Sequence, residues 1–189
     1  MELTPLGIEG AWLASSPVWA DDRGSFREWF KLLDIKNATG VDFSVAQANL
    51  SKSKRGVVRG IHYSLAPDGQ AKWVTCASGA VWDVVVDIRP DSPTFKKWVG
   101  VELLSTSGDV ILISEGLGHG FVSLRDDSVI AYLLTSPYST KEEFEINPLD
   151  AELAIEWPSM ELLMSPKDSA APTLATRLSE GHLPLILKS

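Results

Sequence analysis

Cysteine and histidine are scarce in this sequence, with one Cys and three His among 189 residues. The lone Cys76 cannot form an intramolecular disulfide and cannot build a zinc site by itself. A disulfide-stabilised secreted fold is therefore excluded, and a cytoplasmic protein is expected. The first residues also lack the basic and then apolar pattern of a secretory signal, which favours the same location.

Long apolar runs are absent as well. No stretch approaches the roughly 20 apolar residues that cross a bilayer, so no membrane association is expected. With 17 basic against 25 acidic side chains the net charge is -8, which argues against nucleic acid as a partner. Any anionic ligand must therefore be bound by a local cluster of basic groups. Hydrophobic residues make up 44% and charged residues 22%, which is typical of a folded chain, and the length fits one domain over residues 1–189.

Helical periodicity is scarce, whereas runs rich in Val, Ile, Trp and Tyr recur about every ten residues between positions 40 and 135. This spacing predicts an all-β sandwich or barrel. The clearest strand is Ala80–Ile88, in which alternate residues fall on opposite faces. Further strands are predicted at Ser25–Lys31, Ser44–Leu50, Gly56–Tyr63, Ala71–Ala77, Trp98–Leu103, Val110–Ile113, Gly120–Leu124 and Val129–Leu134, and short helices at Leu32–Asn37 and Pro172–Leu178.

Two of the histidines, His62 and His119, lie close to glycines. Glycine lets the backbone turn or approach a ligand closely, so these positions are candidates for a site. A metal site in a small β-barrel usually takes two His and a carboxylate from one segment, but the residue two after His62 is Ser64. No metal is therefore expected, and hydrogen-bonded structural histidines remain the alternative.

Several polar residues occupy predicted strands or tight turns, where an apolar residue is more usual. Arg23, Arg59 and Lys72 could bind an anion or stabilise a developing oxyanion, although each could also be a solvated surface cation. Gln47 and Asn49 alternate along one strand face. That pattern predicts a face that lines a polar cavity or contacts water.

Two further features are ambiguous by themselves. Tyr132 lies in the otherwise apolar run Val129–Leu134, where it could be a core aromatic with a satisfied hydroxyl. Lys167 and Asp168 lie between two prolines and, taken alone, form only a polar loop. Neither feature predicts a catalytic or binding role unless residues from elsewhere in the chain lie beside it.

Short blocks of the sequence nevertheless occur in an order that resembles one known family. The chain resembles the dTDP-4-dehydrorhamnose 3,5-epimerases from about residue 7 to residue 175. The blocks are Asp22–Glu28, Gln47–Ser51, Gly56–Tyr63, Gln70–Lys72, Asp83–Arg89, Ser92–Phe95 and Glu115–Phe121, followed by Tyr132, Tyr138 and Lys167–Asp168.

This resemblance implies a fold, an activity and a partner. The fold is a cupin-type jelly-roll β-barrel with a few short peripheral helices. The reaction is epimerisation of dTDP-4-dehydro-6-deoxy-glucose at C3 and C5, which yields dTDP-4-dehydro-rhamnose without a cofactor or a metal. The usual assembly is a homodimer that shares its N-terminal strands.

The resemblance also assigns roles to individual residues. His62 is implied as the general base with Asp168 as its orienting acid, Tyr132 as the general acid on the other face of the sugar, and Lys72 as the group that stabilises the enolate oxygen. The implied substrate contacts are Arg23, Gln47, Asn49, Glu143 and Lys167 at the nucleotide diphosphate, Arg59 and His119 at the substrate, Tyr138 against the base, and Phe26 and Glu28 reaching the thymidine end from the partner chain.

The sequence leaves one conflict in a predicted strand and two alternative functions. Strict alternation puts Arg59 and His62 on opposite faces of one strand, so a bulge or an early strand end is predicted near Gly60. A relative that inverts only C3 or only C5 of a dTDP-4-keto-deoxysugar would share the same blocks. A non-catalytic cupin that binds a sugar nucleotide is the alternative from a different class.

Overall fold

The computed structural model describes residues 1–66 and 69–186. Within those residues it contains thirteen strands and three short helices. The strands are β1 (Glu2–Pro5), β2 (Ala11–Ser15), β3 (Trp19–Asp21), β4 (Gly24–Phe26), β5 (Gln47–Ser53), β6 (Val58–Ser64), β7 (Lys72–Ser78), β8 (Ala80–Asp87), β9 (Trp98–Leu104), β10 (Asp109–Ile113), β11 (Leu117–Ser123), β12 (Ser128–Leu134) and β13 (Glu143–Glu145). The helices are α1 (Leu32–Thr39), α2 (Pro166–Ser169) and α3 (Leu174–Ser179).

Two antiparallel sheets form the body of the molecule. One has six strands in the order β1-β2-β10-β7-β12-β5, and the other has five in the order β13-β6-β11-β8-β9. Val74 and Ile130 from the first sheet pack with Val85 and Phe121 from the second in one buried cluster. The sheets therefore face each other across a shared core, which confirms the predicted all-β jelly roll.

The outer faces of both sheets are covered as well. On β8, Val81 and Val85 point into the shared core, whereas Val84 and Val86 pack outside it with residues such as Leu174. A strand that is buried on both faces reads as a nearly continuous apolar run, as residues 80–88 do. The C-terminal part of the chain thus covers the five-stranded sheet.

The predicted strand Ser25–Lys31 is wrong beyond Phe26. The chain leaves the short β3–β4 hairpin there, and the Trp73 indole donates a hydrogen bond of 2.7 Å to the Trp29 carbonyl. Aromatic residues after Phe26 therefore bind to the outer face of the six-stranded sheet instead of extending a strand. The next prediction is confirmed, because α1 begins at Leu32 and ends against Gly40 in the left-handed conformation.

Strand β6 contains the irregularity that the sequence predicted near Gly60. His62 pairs with His119, but Arg59 pairs with Phe121, so β6 has one residue more than β11 between these pairs. The extra residue changes which face the following side chains occupy. The bulge is thus what allows His62 to face the space between the sheets.

Replacing Gly60 by Ala is expected to cost about 2 kcal/mol more stability than replacing Gly24 by Ala. Both glycines have nearly the same backbone angle, with φ of +134° at Gly60 and +136° at Gly24. A Cβ on Gly60 would lie 2.5 Å from the Gly120 Cα, whereas a Cβ on Gly24 would meet nothing within 4 Å. Urea unfolding of both variants measures the difference. Equal losses of stability in the two variants would contradict the close approach of β6 and β11.

No helix in the described part of the chain is both long enough and apolar enough to span a membrane.

Candidate active site

A cavity of about 380 Å³ opens between the two sheets. The six-stranded sheet contributes the end of β12 with its neighbours β5 and β7, and the five-stranded sheet contributes β6 and β13. Its lining includes eight of the residues that the sequence singled out. They are His62, Lys72, Tyr132, Gln47, Asn49, Tyr138, Glu143 and Lys167.

The register of the six-stranded sheet places its polar residues on one wall. Tyr132 of β12 lies directly opposite Asn49 of β5, and Leu134 lies opposite both Gln47 and Lys72. Residues directly opposite each other in adjacent strands share a face, as do residues two apart in one strand. Tyr132, Asn49, Gln47 and Lys72 therefore all project to the cavity side of this sheet.

His62 projects from the opposite wall and is held by a buried carboxylate. Its Nε2 lies 2.7 Å from Oδ1 of Asp168, which is 4% exposed. With Nε2 engaged by the carboxylate, Nδ1 is the ring nitrogen that is available to a molecule in the cavity. The carboxylate thus fixes both the ring orientation and the tautomer.

Asp168 is kept ionised by its partners. Burial alone raises the pKa of its carboxyl, but hydrogen bonds with His62 and Ser165 and the positive charge of Lys167 outweigh burial. The net pKa of Asp168 therefore lies below its ordinary value. An ionised Asp168 favours the imidazolium that forms when His62 accepts a proton.

Lys72 is a buried ammonium next to the imidazole. It is 7% exposed, and its Nζ donates to the His62 carbonyl oxygen at 3.4 Å. Burial lowers the pKa of Lys72 below its ordinary value, and the carboxylates of Glu143 and Asp83 offset part of that effect. A poorly solvated cation of this kind stabilises negative charge that develops on a bound molecule.

The Tyr132 hydroxyl is a neutral proton donor at ordinary pH. Burial raises its pKa above the ordinary value, while the hydrogen bond with Asn49 and the charge of Arg59 offset part of the rise. Gln47 donates to the Asn49 amide oxygen at 3.0 Å and accepts from the Tyr138 backbone N–H at 2.9 Å. This chain of contacts fixes the wall around the hydroxyl.

Gln70 lines the cavity, although the sequence argument assigned it no role. Its side chain is buried and donates to Glu143 Oε1 at 3.0 Å and to the Ser136 hydroxyl at 3.3 Å. The signal was present in the sequence, because Gln70 lies two residues before Lys72. Gln70 holds the carboxylate of Glu143 beside the ammonium of Lys72.

Five of the predicted substrate-contact residues do not line this cavity within a single chain. Arg23 pairs with Asp21 on the β3–β4 hairpin, Phe26 stacks on Trp19 with ring centroids 5.9 Å apart, and Glu28 pairs with Lys31. Arg59 donates to Ser53, and His119 pairs with the buried Asp83. The hairpin is exposed because it packs on neither sheet of its own chain. The contacts implied for these five residues stay predictions.

No group of three or more His, Cys, Asp or Glu side chains is placed to hold a metal ion within residues 1–66 and 69–186. His62, Lys72 and Tyr132 instead line the cavity together. That arrangement is suited to moving protons on a bound molecule.

Known proteins share both this sequence and this fold. The family model for dTDP-4-dehydrorhamnose 3,5-epimerase matches residues 5–176. A dTDP-4-dehydrorhamnose 3-epimerase from Streptomyces niveus is 47% identical over 97% of this chain and 89% of its own length. A dTDP-4-dehydrorhamnose 3,5-epimerase from Streptomyces griseus is 45% identical over 96% of this chain and 91% of its own length.

A solved structure agrees with the sequence relatives. NovW, a 4-keto-6-deoxy sugar epimerase from the novobiocin biosynthetic gene cluster of Streptomyces spheroides, superposes with a TM-score of 0.96 at 47% identity, covering 98% of this chain and 94% of that one. This agreement confirms the cupin-type jelly roll. The chain belongs to the dTDP-4-dehydrorhamnose 3,5-epimerase family.

Proposed function

We propose that this protein converts dTDP-4-dehydro-6-deoxy-D-glucose to dTDP-4-dehydro-L-rhamnose by epimerising C3 and C5. The observation that carries the proposal is the placement of His62 and Tyr132 on opposite walls of one cavity, with Lys72 beside them. Inverting a carbon requires a base on one face of the sugar and an acid on the other. The two facing sheets supply one such group each.

The chemistry starts at the carbon next to the ketone. Nδ1 of neutral His62 takes the C–H proton. The electron pair of that bond forms a C=C double bond to C4, and the π pair of the C4 carbonyl moves onto its oxygen, which gives an enolate. The Lys72 ammonium stabilises this oxygen, and Asp168 stabilises the imidazolium. Tyr132 then donates its hydroxyl proton to the same carbon from the other face, and the ketone re-forms with the carbon inverted.

The nucleotide part of the substrate accounts for the remaining polar residues. Gln47, Asn49 and Lys167 lie at the cavity where a diphosphate would extend from the sugar, and Tyr138 is exposed at its edge, where its ring can stack on thymine. The exposed β3–β4 hairpin, with Arg23 and Phe26, is available to reach the cavity of a second copy. The proposal therefore includes a homodimer. It also includes a location in the cytoplasm.

Inversion at C3 alone is the second candidate. The Streptomyces niveus relative is a 3-epimerase and the Streptomyces griseus relative is a 3,5-epimerase, at 47% and 45% identity to this chain. Both reactions need the same base, acid and cation. The difference lies in whether the intermediate presents a second carbon to His62.

Incubation with dTDP-4-dehydro-6-deoxy-glucose in deuterium oxide separates these functions. Deuterium is expected at both C3 and C5, because the proton that Tyr132 returns comes from solvent. NMR of the sugar measures the exchange at each carbon. Exchange at C3 alone would instead support the 3-epimerase, and dTDP binding without any exchange would support a sugar-nucleotide-binding protein that is not an enzyme.

A further inference from the structure

Ser165 contacts Asp168 in two ways. Its Oγ accepts a hydrogen bond from the Asp168 backbone N–H at 3.0 Å, which caps the N-terminus of α2. The same hydroxyl donates to Asp168 Oδ2 at 2.8 Å. One side chain therefore holds both the backbone and the carboxylate of Asp168.

This arrangement differs from an ordinary capping box. In that motif the acidic residue three positions after the cap accepts from the N–H of the cap residue. Here both carboxylate oxygens have other partners, since Oδ1 contacts His62 Nε2 and Oδ2 contacts the Ser165 hydroxyl. The carboxylate is directed away from its own helix and toward β6.

The segment before α2 is fixed to the strand that carries His62. Leu163 donates to the Gly56 carbonyl and accepts from the Val58 N–H, each at 2.8 Å. Ser165 follows two residues later, and His62 lies four residues beyond Val58 on β6. The hydroxyl of Ser165 is thus held at a set position relative to the imidazole.

Ser165 does not line the cavity that holds the catalytic groups. With Arg59 and Asp168 it lines a separate cavity of about 200 Å³, whose lining does not include His62. An effect of Ser165 on the reaction must therefore act through Asp168 and cannot come from contact with the sugar.

We propose that Ser165 is a positioning residue for the reaction, because its hydroxyl locks the Asp168 carboxylate in the orientation that aligns His62 for proton abstraction. This inference rests on the proposed epimerase function. It assigns the Ser165 hydroxyl a role besides capping α2.

The test is a double-mutant cycle read by deuterium exchange into dTDP-4-dehydro-6-deoxy-glucose. Ser165→Ala is expected to lower kcat about tenfold with KM changed less than twofold. Ser165→Thr keeps the hydroxyl and is expected to stay within twofold of wild type. In an Asp168→Ala background, Ser165→Ala is expected to change kcat less than twofold, because the group through which it acts is gone.

Two further variants separate positioning from helix capping. Thr173 caps α3 in the same way, by accepting from the Thr176 N–H, so Thr173→Ala removes an equivalent cap and is expected to leave kcat unchanged. Ser165→Asp keeps a good capping acceptor but cannot donate to Asp168. It is expected to lower kcat at least tenfold, which tests the positioning role even if Ser165→Ala does not fold.

Each outcome decides the inference. A Ser165→Ala kcat within twofold of wild type, or the same loss in both backgrounds, overturns the positioning role while wild-type exchange leaves the epimerase function standing. Absence of exchange in the wild-type protein overturns both proposals together.

Discussion

His62→Asn is expected to lower deuterium exchange at C3 and C5 by about 10³-fold while dTDP affinity stays within about tenfold. Asparagine can still hydrogen-bond Asp168 but has no basic nitrogen to accept the proton. Affinity is retained because the diphosphate contacts lie elsewhere in the cavity. NMR exchange and calorimetric titration with dTDP measure the two quantities.

The matched control for this variant is His182→Asn. His182 is a half-buried histidine that pairs with Glu180 and does not line the cavity. Its replacement is expected to leave exchange within twofold of wild type. Exchange by the His62→Asn protein within tenfold of wild type would remove His62 from the role of base.

Lys72→Met is expected to lower kcat/KM by about 10²- to 10³-fold, because methionine fills the same space but cannot stabilise the enolate oxygen. Deuterium exchange and net epimerisation should fall together, since both pass through the enolate. Lys52→Met is the control, because Lys52 is exposed on β5 and pairs with Asp127. Unequal loss of exchange and epimerisation would contradict the role assigned to Lys72.

The ionisation of Lys72 predicts how kcat/KM changes at alkaline pH. Burial lowers the pKa of Lys72 and raises the pKa of Tyr132. Loss of the Lys72 proton is therefore moved to lower pH, and loss of the Tyr132 proton to higher pH, than in the ordinary side chains. The kcat/KM of the wild-type enzyme should fall through a pKa below 10.5, the ordinary lysine value, and the residual kcat/KM of Lys72→Met should lack that decrease.

A stability measurement checks the cause of this shift. The pKa of Lys72 is lower in the folded protein than in the unfolded chain. Between these two pKa values the unfolded chain binds more protons than the folded protein, so the contribution of Lys72 to folding stability rises with pH in that range. Below the folded pKa the buried ammonium destabilises the protein. Lys72→Met is therefore expected to be more stable than wild type near neutral pH in urea unfolding, and a loss of stability would contradict a costly buried charge.

Local patterns in the sequence predicted much of the barrel. Alternation along residues 80–88 located β8, and the polar residues Gln47 and Asn49 marked the face of β5 that lines the cavity. The conflict between Arg59 and His62 predicted the bulge near Gly60, which the register confirms. Each of these signals lies within about ten residues of chain, where the period of side-chain directions is informative.

Other features had no local signal. The strands β1, β2, β3 and β13 were not predicted, because they are short, and β1 and β3 are also largely exposed and so lack an alternating pattern. Helix α2 has four residues, too few for helical periodicity. Its Ser165-x-x-Asp168 spacing is the cue that marks it.

The candidate site depends on contacts between distant parts of the chain. His62 and Asp168 are 106 residues apart, and no spacing rule joins them. Their pairing could be expected only from the family resemblance. The positions implied for Phe26 and Glu28 depend on a second chain, so a single chain cannot place them at the cavity.

In the proposed reaction the sugar lies between a base and an acid. A crystal structure of the His62→Asn variant with dTDP-4-dehydro-6-deoxy-glucose tests it directly, because this variant is expected to bind the substrate without turning it over. The prediction is that the side chain at position 62 and the Tyr132 hydroxyl contact opposite faces of the hexose, with Lys72 Nζ about 3 Å from the C4 oxygen. A hexose with both groups on one face, or with Lys72 bound to the diphosphate instead, would contradict the claim.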